Sequence, residues 1–419
     1  MEFIADFHIH SKYSRATSKD MDIKHIAEWA RLKGITLMGT GDFTHHLWLE
    51  ELKNSLQESG KGLFRHAAGN SSQKDIYFIL TSEISCIYSK KGRTYRIHNM
   101  VLAPSFKTVD KINETLSRYG NLASDGRPIL GMDAQEIARI IFDIDENCMI
   151  VPGHIWTPWF SVFGSMSGFD RIEDCFEDQT PKIFALETGL SSDPAMNWRL
   201  SALDRFSLIS NSDSHSPSKI GREANVFDCE LDYKTIREVL KTKDKKRFLY
   251  TIEFYPEEGK YHFDGHRLCD VRWSPEETKE HNGRCPKCGK PVTVGVMNRV
   301  AQLADRPAGY IPSNSIPFKN MVPFQEIIAE AKGVGKASLQ VEKEYLSIIS
   351  KFSTEFEVLA KVPAEELRKH ISPRIAEGIL RVREGKVKLF PGYDGEYGKI
   401  EIFGKEDLKE KGEEQLSLF

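Results

Sequence analysis

Residues 6–11 read Asp-Phe-His-Ile-His-Ser, and they lie at the end of the apolar run Phe3–Phe7. Side chains alternate in direction along a strand, so His8 and His10 are expected on the same side. Two imidazoles that converge at a strand end are typical ligands for a borderline divalent cation such as zinc, manganese or iron. This stretch therefore predicts a metal site at the end of the first strand.

The pattern of a short apolar run, an ionisable residue and a helical stretch recurs up to about Asp213. Runs that are rich in β-forming residues and separated by enough chain for a crossover helix indicate parallel βα units. The sequence therefore predicts an α/β fold with seven strands. The runs are Phe3–Phe7, Ile35–Gly39, Ile76–Leu80, Met100–Leu102, Met149–Val151, Ile183–Leu186 and Phe206–Ile209.

Histidines and acidic residues follow nearly every run. Catalytic groups of a parallel α/β barrel lie at the carboxyl ends of its strands, so this shared position predicts one common mouth. At the fourth run the histidine, His98, lies just before the strand instead. The residues that follow the other runs are His8, His10, Asp42, Glu83, His154, Glu187 and Asp213.

These candidate ligands outnumber what one ion needs, so we expect two or three divalent cations, with Zn, Mn, Mg and Fe as candidates. The chemistry that such a cluster indicates is phosphoester hydrolysis, because bound cations activate water and polarise a phosphoryl oxygen. A single His or Asp in such a loop is usually a cap or a turn residue. Such local roles do not explain the whole ordered set. The set also includes His98 and His215, and His215 belongs to an Asp-Ser-His motif at residues 213–215.

The ordered motifs DFHIHS, TGDFTHH, TSEIS, HNMV, VPGHIW and NSDSHS resemble the PHP (polymerase and histidinol phosphatase) family. The resemblance implies a distorted seven-stranded (β/α) barrel with a trinuclear site, in which Glu83, Asp213, His215 and Asp42 are catalytic. Many members of the family have histidine at the positions of Ala16 and Asp42. This sequence therefore departs from the family pattern in the ligands of the third ion. By motif position, the three ions would be bound by His8, His10, Glu83 and Asp213; by Glu83, His98 and His154; and by Asp42 and His215.

Longer stretches, among them GTGDFTH, ALETGLSSDPAMNWRLSALD and SNSDSHSPSKIGREAN, are similar to the endonuclease Q family over nearly the whole chain. Members of that family cut the phosphodiester 5′ of uracil, hypoxanthine, xanthine or an abasic site and leave 3′-hydroxyl and 5′-phosphate ends. The resemblance thus implies a metal-dependent DNA repair endonuclease that extracts a damaged nucleotide from the stack. Candidate substrate contacts are Lys12, Arg15, Asp193, Asn197, Trp198 and Arg199, although a rim salt bridge and a packed ring explain such Arg and Trp residues equally well.

Three of the seven cysteines, Cys269, Cys285 and Cys288, lie close together in sequence, and the last two form a Cys-x-x-Cys turn. This spacing is typical of a structural zinc site rather than of a redox pair, because no thioredoxin-like context follows. The fourth ligand is expected to be His266, with His262 as the alternative. The isolated cysteines are interpreted as small buried apolar residues.

The changes in composition divide the chain into four predicted units: the metal-binding barrel at 1–254, a zinc module at 255–312, a helical DNA-binding region at 313–403 and a flexible tail at 404–419. Residues 332–338, KGVGKAS, do not form a phosphate-binding loop of the GxxxxGK[ST] type, since Glu330 and Ala337 occupy required positions. We interpret them as a turn between helices, which either binds a DNA phosphate through its amides or only connects the helices.

The chain ends in Gln415, Leu416, Ser417, Leu418 and Phe419, which resembles the pentapeptide that binds the bacterial sliding clamp. A charged, flexible tail that presents one polar and three apolar side chains suits the peptide-binding pocket of a sliding clamp. The alternative is a tail that folds back on its own protein. If the motif is used, the source is bacterial.

The overall composition favours a cytoplasmic enzyme without a membrane partner. The net charge of −3 excludes coating of nucleic acid by charge alone, and no apolar run reaches the length of a membrane span. The sequence leaves two further hypotheses beside the repair endonuclease, a PHP-type small-molecule phosphatase and a non-catalytic DNA-binding adaptor. The zinc motif and the terminal motif argue against the phosphatase, and the intact ligand set argues against the adaptor.

Overall fold

A computed structural model describes residues 1–66 and 75–404 and shows a mixed α/β fold. The predicted α/β class is confirmed, and each of the seven predicted runs contributes to one of the strands. The strands of the described residues are β1 (Glu2–Asp6), β2 (Leu37–Gly39), β3 (Gln57–Glu58), β4 (Phe64–His66), β5 (Ile76–Lys90), β6 (Arg93–Ala103), β7 (Ile129–Leu130), β8 (Met149–Pro152), β9 (Ala185–Glu187), β10 (Ser207–Ile209), β11 (Ala224–Asp228), β12 (Phe248–Glu253), β13 (Asp264–His266), β14 (Val271–Trp273), β15 (Phe318–Asn320), β16 (Lys388–Phe390) and β17 (Lys399–Glu401).

The direction of β6 differs from the predicted parallel order. β2 pairs in parallel with β1 and with β5, but β6 is antiparallel to both β5 and β8. The prediction of a parallel fourth strand was wrong, because β5 and β6 form a hairpin through Lys91 and Gly92, which have φ of 51° and 77°. A two-residue turn with positive φ joins antiparallel strands only. The reversal explains why His98 precedes its apolar run.

β9 and β10 form a separate parallel pair that lies between β8 and β1. On one side, the backbone amide of Ile155 donates to the carbonyl of Glu187 at 3.1 Å. On the other side, Ile9 and Ser214 form a parallel bridge. The ends of the strands formed by the seven runs therefore surround one site. Beyond β1, the sheet continues through β11, β12 and β15.

The helices cover these strands with apolar faces, as α4 illustrates by burying Ile137, Ala138, Ile141 and Phe142 at helical spacing. Among the described residues no helix is long and apolar enough to span a membrane. The helices are α1 (Ile23–Lys33), α2 (His46–Ser55), α3 (Phe106–Leu116), α4 (Ala134–Ile144), α5 (Ile172–Phe176), α6 (Pro194–Asn197), α7 (Tyr233–Thr242), α8 (Pro275–Glu280), α9 (Val296–Leu303), α10 (Phe324–Lys332), α11 (Leu339–Phe352), α12 (Ala364–His370) and α13 (Pro373–Arg383).

The C-terminal helices share their apolar core with the strands and helices of the first part of the chain. A buried ion pair crosses this contact, since Lys33 Nζ at the end of α1 lies 2.7 Å from Glu355 Oε2. The hydroxyl of Tyr345 on α11 donates to the same carboxylate at 2.8 Å. Because breaking one partner of a buried pair is costly, this contact holds the helical region against α1.

Residues 264–303 contain the cysteine cluster and have a very small apolar cluster of their own, formed by Val271, Trp273, Cys285 and Val292. The hairpin of β16 and β17 lies against this module, and the amide of Arg267 donates to Asp394 at 2.7 Å. The predicted helical region thus ends in a hairpin that stabilises the module. A core this small does not fold without an additional constraint.

Candidate metal centre

The candidate site begins where β1 ends, with His8 and His10. The Nδ1 atom of His8 donates to Glu187 Oε1 at 2.9 Å, and Nδ1 of His10 donates to Asp42 Oδ1 at 3.0 Å. Both rings are almost fully buried. A carboxylate that holds Nδ1 fixes the orientation and the tautomer of the imidazole, which leaves Nε2 free to bind a cation.

Asp213 completes the first group of ligands, and one ligand atom from each of the three residues lies within 4.8 Å of the others. His8 Nε2, His10 Nε2 and Asp213 Oδ1 are buried and lack a hydrogen bond of good geometry, although His10 Nε2 lies 3.1 Å from Asp213 Oδ1. Buried polar atoms without a partner are costly. Two nitrogens and one carboxylate oxygen fit a divalent cation, which would satisfy all three.

Glu83, His98 and His154 form a second group. Glu83 Oε1 lies 2.7 Å from His98 Nδ1 and 3.2 Å from His154 Nε2. The other oxygen of Glu83 lies 3.5 Å from His10 Nε2, in the first group. The carboxylate of Glu83 therefore lies between the two groups, where it can bridge two cations. His98 reaches it because β6 runs antiparallel to β5.

The electrostatics of the site keep its acidic ligand ionised. Burial raises the pKa of Glu83, but the charge of His98 in its protonated form and the permanent charge of Arg127 outweigh this effect and hold that pKa well below its usual range. Burial lowers the pKa of His98 to about 4, so this imidazole is neutral near pH 7. A carboxylate and a neutral imidazole are the forms that bind a cation.

Three residues of the site have backbones in the left-handed region, with φ of 50° at Asp42, 30° at His154 and 45° at Asp213. Such conformations are unfavourable for residues other than glycine, and they persist only where the surrounding contacts impose them. The hydrogen bond from the amide of His154 to Glu187 Oε2, at 2.8 Å, is one such contact.

Asp42 and His215 were expected to hold a third ion. In this structure, Asp42 accepts hydrogen bonds from His10, from the amide and hydroxyl of Ser11, and from the hydroxyl of Ser14. His215 Nδ1 lies 3.0 Å from the backbone oxygen of Asp213. Within residues 1–66 and 75–404 no third group of ligands forms around this pair. The hydrogen bond from His10 Nδ1 to Asp42 fixes the orientation of the His10 ring.

Two residues at the site were not among the predicted ligands. Glu187, which holds His8, follows the sixth apolar run, so its position in the repeat was the signal that pointed to it. Arg127 lies in a loop without a motif, and its Nη1 atom is 3.1 Å from Glu83 Oε2. Nothing in the local sequence indicates that contact, which depends on the fold.

A cavity of about 410 Å³ opens onto the ligand groups, and its lining includes Arg15, Arg127, His154, Trp159 and Asp213. Arg127, His154 and Asp213 make the part of the cavity beside the candidate metal ligands polar, and the ring of Trp159 forms an aromatic wall. The arrangement suits an anionic substrate that carries a planar or sugar group beside its phosphate.

The predicted substrate contacts divide into two sets. Arg15 is at the cavity rim with its side chain 83% exposed, whereas Lys12 pairs with Glu51 at 2.8 Å. Asn197 and Trp198 are buried in packing contacts, since Asn197 accepts from Trp156 Nε1.

The structure thus does not place Asn197 and Trp198 where substrate contacts were expected. Trp198 has its ring against Phe318 instead. Asp193 caps α6 through the amide of Met196, and the backbone oxygen of Arg199 accepts from the amides of Asp305 and Arg306. These residues shape the loop behind the cavity.

A separate group of four ligands forms in the cysteine module: His266, Cys269, Cys285 and Cys288. Two or more thiolates with an imidazole at this spacing are typical of structural zinc. Of the two candidate histidines, the structure places His266 in the group. His262 is buried elsewhere, with its ring beside Phe263.

The turn between α10 and α11 has the predicted form, with Gly333 at the C-cap of α10 and Ser338 at the N-cap of α11. Lys336 in this turn pairs with Glu326 at 3.1 Å. The predicted clamp motif, Gln415–Phe419, lies outside the described residues.

Comparisons with known proteins support one family. Residues 323–386 match the family model described as the MJ0043 C-terminal domain. The uncharacterized protein MJ0043 of Methanocaldococcus jannaschii is 34% identical over 266 residues, 61% of this chain, which spans 33% of the length of that protein. The uncharacterized protein YqxK of Bacillus subtilis is 28% identical over 94% of this chain and 98% of its own length.

Two solved structures match almost the entire fold. The lesion-specific endonuclease PfuEndoQ of Pyrococcus furiosus is 32% identical with a TM-score of 0.84, and the match covers 98% of this chain and 99% of that one. Endonuclease Q bound to a 27-mer duplex with an abasic lesion at its active site gives a TM-score of 0.84 and 32% identity over 98% of both chains. The chain therefore belongs to the endonuclease Q family.

Proposed function

We propose that this protein is a DNA repair endonuclease that hydrolyses the phosphodiester 5′ of uracil, hypoxanthine, xanthine or an abasic site. The products are 3′-hydroxyl and 5′-phosphate ends. The single observation that carries the proposal is the pair of buried ligand groups joined by Glu83, in a chain that matches the endonuclease Q fold throughout. A structure of endonuclease Q with an abasic duplex supports DNA as the substrate class.

In the proposed mechanism, His8, His10 and Asp213 would hold one divalent cation, and Glu83, His98 and His154 would hold a second. Such cations would supply Lewis-acid chemistry, which activates water and polarises a phosphoryl oxygen. Glu83 sets the spacing between the two ligand groups. The catalytic assignments of the PHP resemblance are kept for Glu83 and Asp213, whereas Asp42 acts by orienting His10.

The remaining units would hold the DNA and recruit the enzyme. The zinc module and the helical region at 313–403 would contact DNA beside the predicted unit at 1–254, and the turn at 333–338 would bind a DNA phosphate through backbone amides. The tail at 404–419 would bind a bacterial sliding clamp through Gln415, Leu416, Leu418 and Phe419. The damaged nucleotide enters the cavity beside Trp159, where an aromatic ring can stack on it.

The experiment is cleavage of labelled duplexes that each carry one uracil, hypoxanthine, xanthine or abasic site, with Mn²⁺, Mg²⁺ or Zn²⁺. We expect one nick on the 5′ side of the lesion and none in an undamaged duplex of the same sequence. Hydrolysis of small phosphomonoesters alone would favour a phosphatase, and tight binding without a nick would favour an adaptor. Either of these results contradicts the proposal.

Deletion of the last five residues tests the clamp partner separately. We expect the truncated protein to nick free duplexes at the wild-type rate, because the described site lies far along the chain from residues 415–419. Its affinity for a purified bacterial sliding clamp should be lost, which surface plasmon resonance measures. Unchanged clamp affinity would remove this partner from the proposal.

A further inference from the structure

We propose that Arg127 forms an anion subsite beside the two ligand groups and binds a non-bridging oxygen of the scissile phosphate. The ligand class is a phosphodiester in the substrate or a phosphate in the product. This inference rests on the proposed function and extends it, because Arg127 belongs to none of the sequence motifs that identify the metal ligands. Because its guanidinium would contact the scissile phosphate, Arg127 is a catalytic residue in this proposal.

The position of the guanidinium is the first argument. Arg127 Nη1 lies 3.1 Å from Glu83 Oε2, the carboxylate that lies between the two groups. The Arg127 side chain is 26% exposed, and it lines the same cavity as His98, His154 and Asp213. The guanidinium thus has one edge against a metal ligand while part of it remains open to a molecule in the cavity.

The loop that carries Arg127 is built into the site. The hydroxyl of Thr44 donates to the carbonyl of Gly126, and the amide of Gly126 donates to the carbonyl of Tyr13. A Cβ atom on Gly126 would lie 2.3 Å from Asp42 Oδ2, so only glycine permits this approach. The loop therefore contacts the carboxylate that orients His10, and this contact fixes the starting point of the Arg127 side chain.

Asp125 separates the roles of two arginines. Its Oδ1 atom accepts from the amide of Arg127 at 3.1 Å, and its Oδ2 atom lies 3.4 Å from Arg15 Nε. Arg15 is 83% exposed at the rim. Arg127 alone of this pair extends beside Glu83, so we assign the deep phosphate contact to Arg127 and leave Arg15 at the entrance.

Charge balance is the second argument. Glu83 already has His98 and His154 as partners, and cations in the two groups would use its remaining lone pairs. The guanidinium of Arg127 keeps its charge at any working pH, so it would then be an additional positive charge in a mostly buried cavity. Glu83 and Asp213 already stabilise this charge, and an anion of the proposed substrate class would provide a further partner at the exposed part of the guanidinium.

The third argument is that no third group of ligands forms around Asp42 and His215 in the described parts of the chain, 1–66 and 75–404. The oxygens of Asp42 are engaged by His10, Ser11 and Ser14, and position 16 is alanine. A third cation would have helped to neutralise the phosphate. The guanidinium of Arg127 lies beside the other two ligand groups. It would supply a positive charge to the phosphate without the protein ligands that a third cation would require.

Binding of inorganic phosphate to the metal-loaded protein tests the subsite without reference to cleavage. We expect Arg127→Gln to retain the wild-type metal content, measured by elemental analysis, and to bind phosphate at least about 10-fold more weakly by calorimetry. Arg127→Lys should recover part of the affinity because it keeps the charge. Arg118→Gln is the matched control, since Arg118 is 69% exposed and pairs only with Glu114.

Cleavage of the lesion duplex is the second readout, and we expect Arg127→Gln to reduce kcat about 100-fold. Wild-type phosphate affinity in Arg127→Gln would overturn the subsite. Loss of bound metal in both Arg127→Gln and Arg127→Lys would also overturn it, since Arg127 would then only support Glu83. If the wild-type protein nicks no lesion but its phosphate binding still requires Arg127, the proposed function fails and the subsite stands.

Discussion

The chain holds two groups of metal-type ligands in opposite ways. In the first part of the chain, His8 and His10 are each held by a carboxylate, and the ligands come from strands and strand ends inside a large core. In the cysteine module, His266 and the three cysteines lie on turns above a core of four residues. The contacts of the protein organise the first group, whereas we expect the second group to need a bound ion to order its turns.

Removal of zinc from the cysteine module should have the largest effect, because structural zinc contributes on the order of 10 kcal/mol to the folding of such units. His266→Asn should lose the zinc and expose residues 255–312 to protease, which limited proteolysis with mass spectrometry detects. His262→Gln is the matched control and should keep one zinc per chain. Zinc retained in His266→Asn, with the module still resistant to protease, would contradict the role of His266 as a ligand that the module needs.

Glu83→Gln should reduce the rate of cleavage by at least about 1,000-fold, because the loss of the bridging charge removes several kcal/mol of transition-state stabilisation. The melting temperature should remain close to that of the wild type, since the strands do not depend on bound ions. Glu114→Gln, which changes a 75% exposed carboxylate, should leave both measurements unchanged. Unfolding of Glu83→Gln would show that the barrel site is not preorganised.

Glu187→Gln should have the smallest effect of the three. Residues that orient a metal-binding histidine typically change metal affinity by about 10- to 100-fold, and Glu187 holds both His8 Nδ1 and the amide of His154. Titration of Mn²⁺ against the rate of cleavage should show a higher metal requirement with a nearly normal maximum rate. An unchanged requirement would mean that Glu187 does not preorganise the site; Glu173→Gln, on α5, is the control.

Much of the barrel site was predictable from the sequence, because parallel strands place their carboxyl ends at one edge. The repeat of apolar run and ionisable residue indicated His8, His10, Glu83, His154 and Asp213, and the structure brings their side chains together. The same repeat includes Glu187 after the sixth run, but it does not indicate that Glu187 holds His8. The cysteine spacing likewise left His262 and His266 as alternatives, and folding selected between them.

The sequence by itself determined which residues carry the chemistry, since residue type and order along the chain specify strands and ligands. Only the tertiary structure decided the direction of β6, the engagement of Asp42 by His10 and two serines, and the approach of Arg127 to Glu83. These features depend on distances between segments that are 28 to 44 residues apart or on the handedness of one turn. No local pattern encodes such distances, because they result from packing of the whole core.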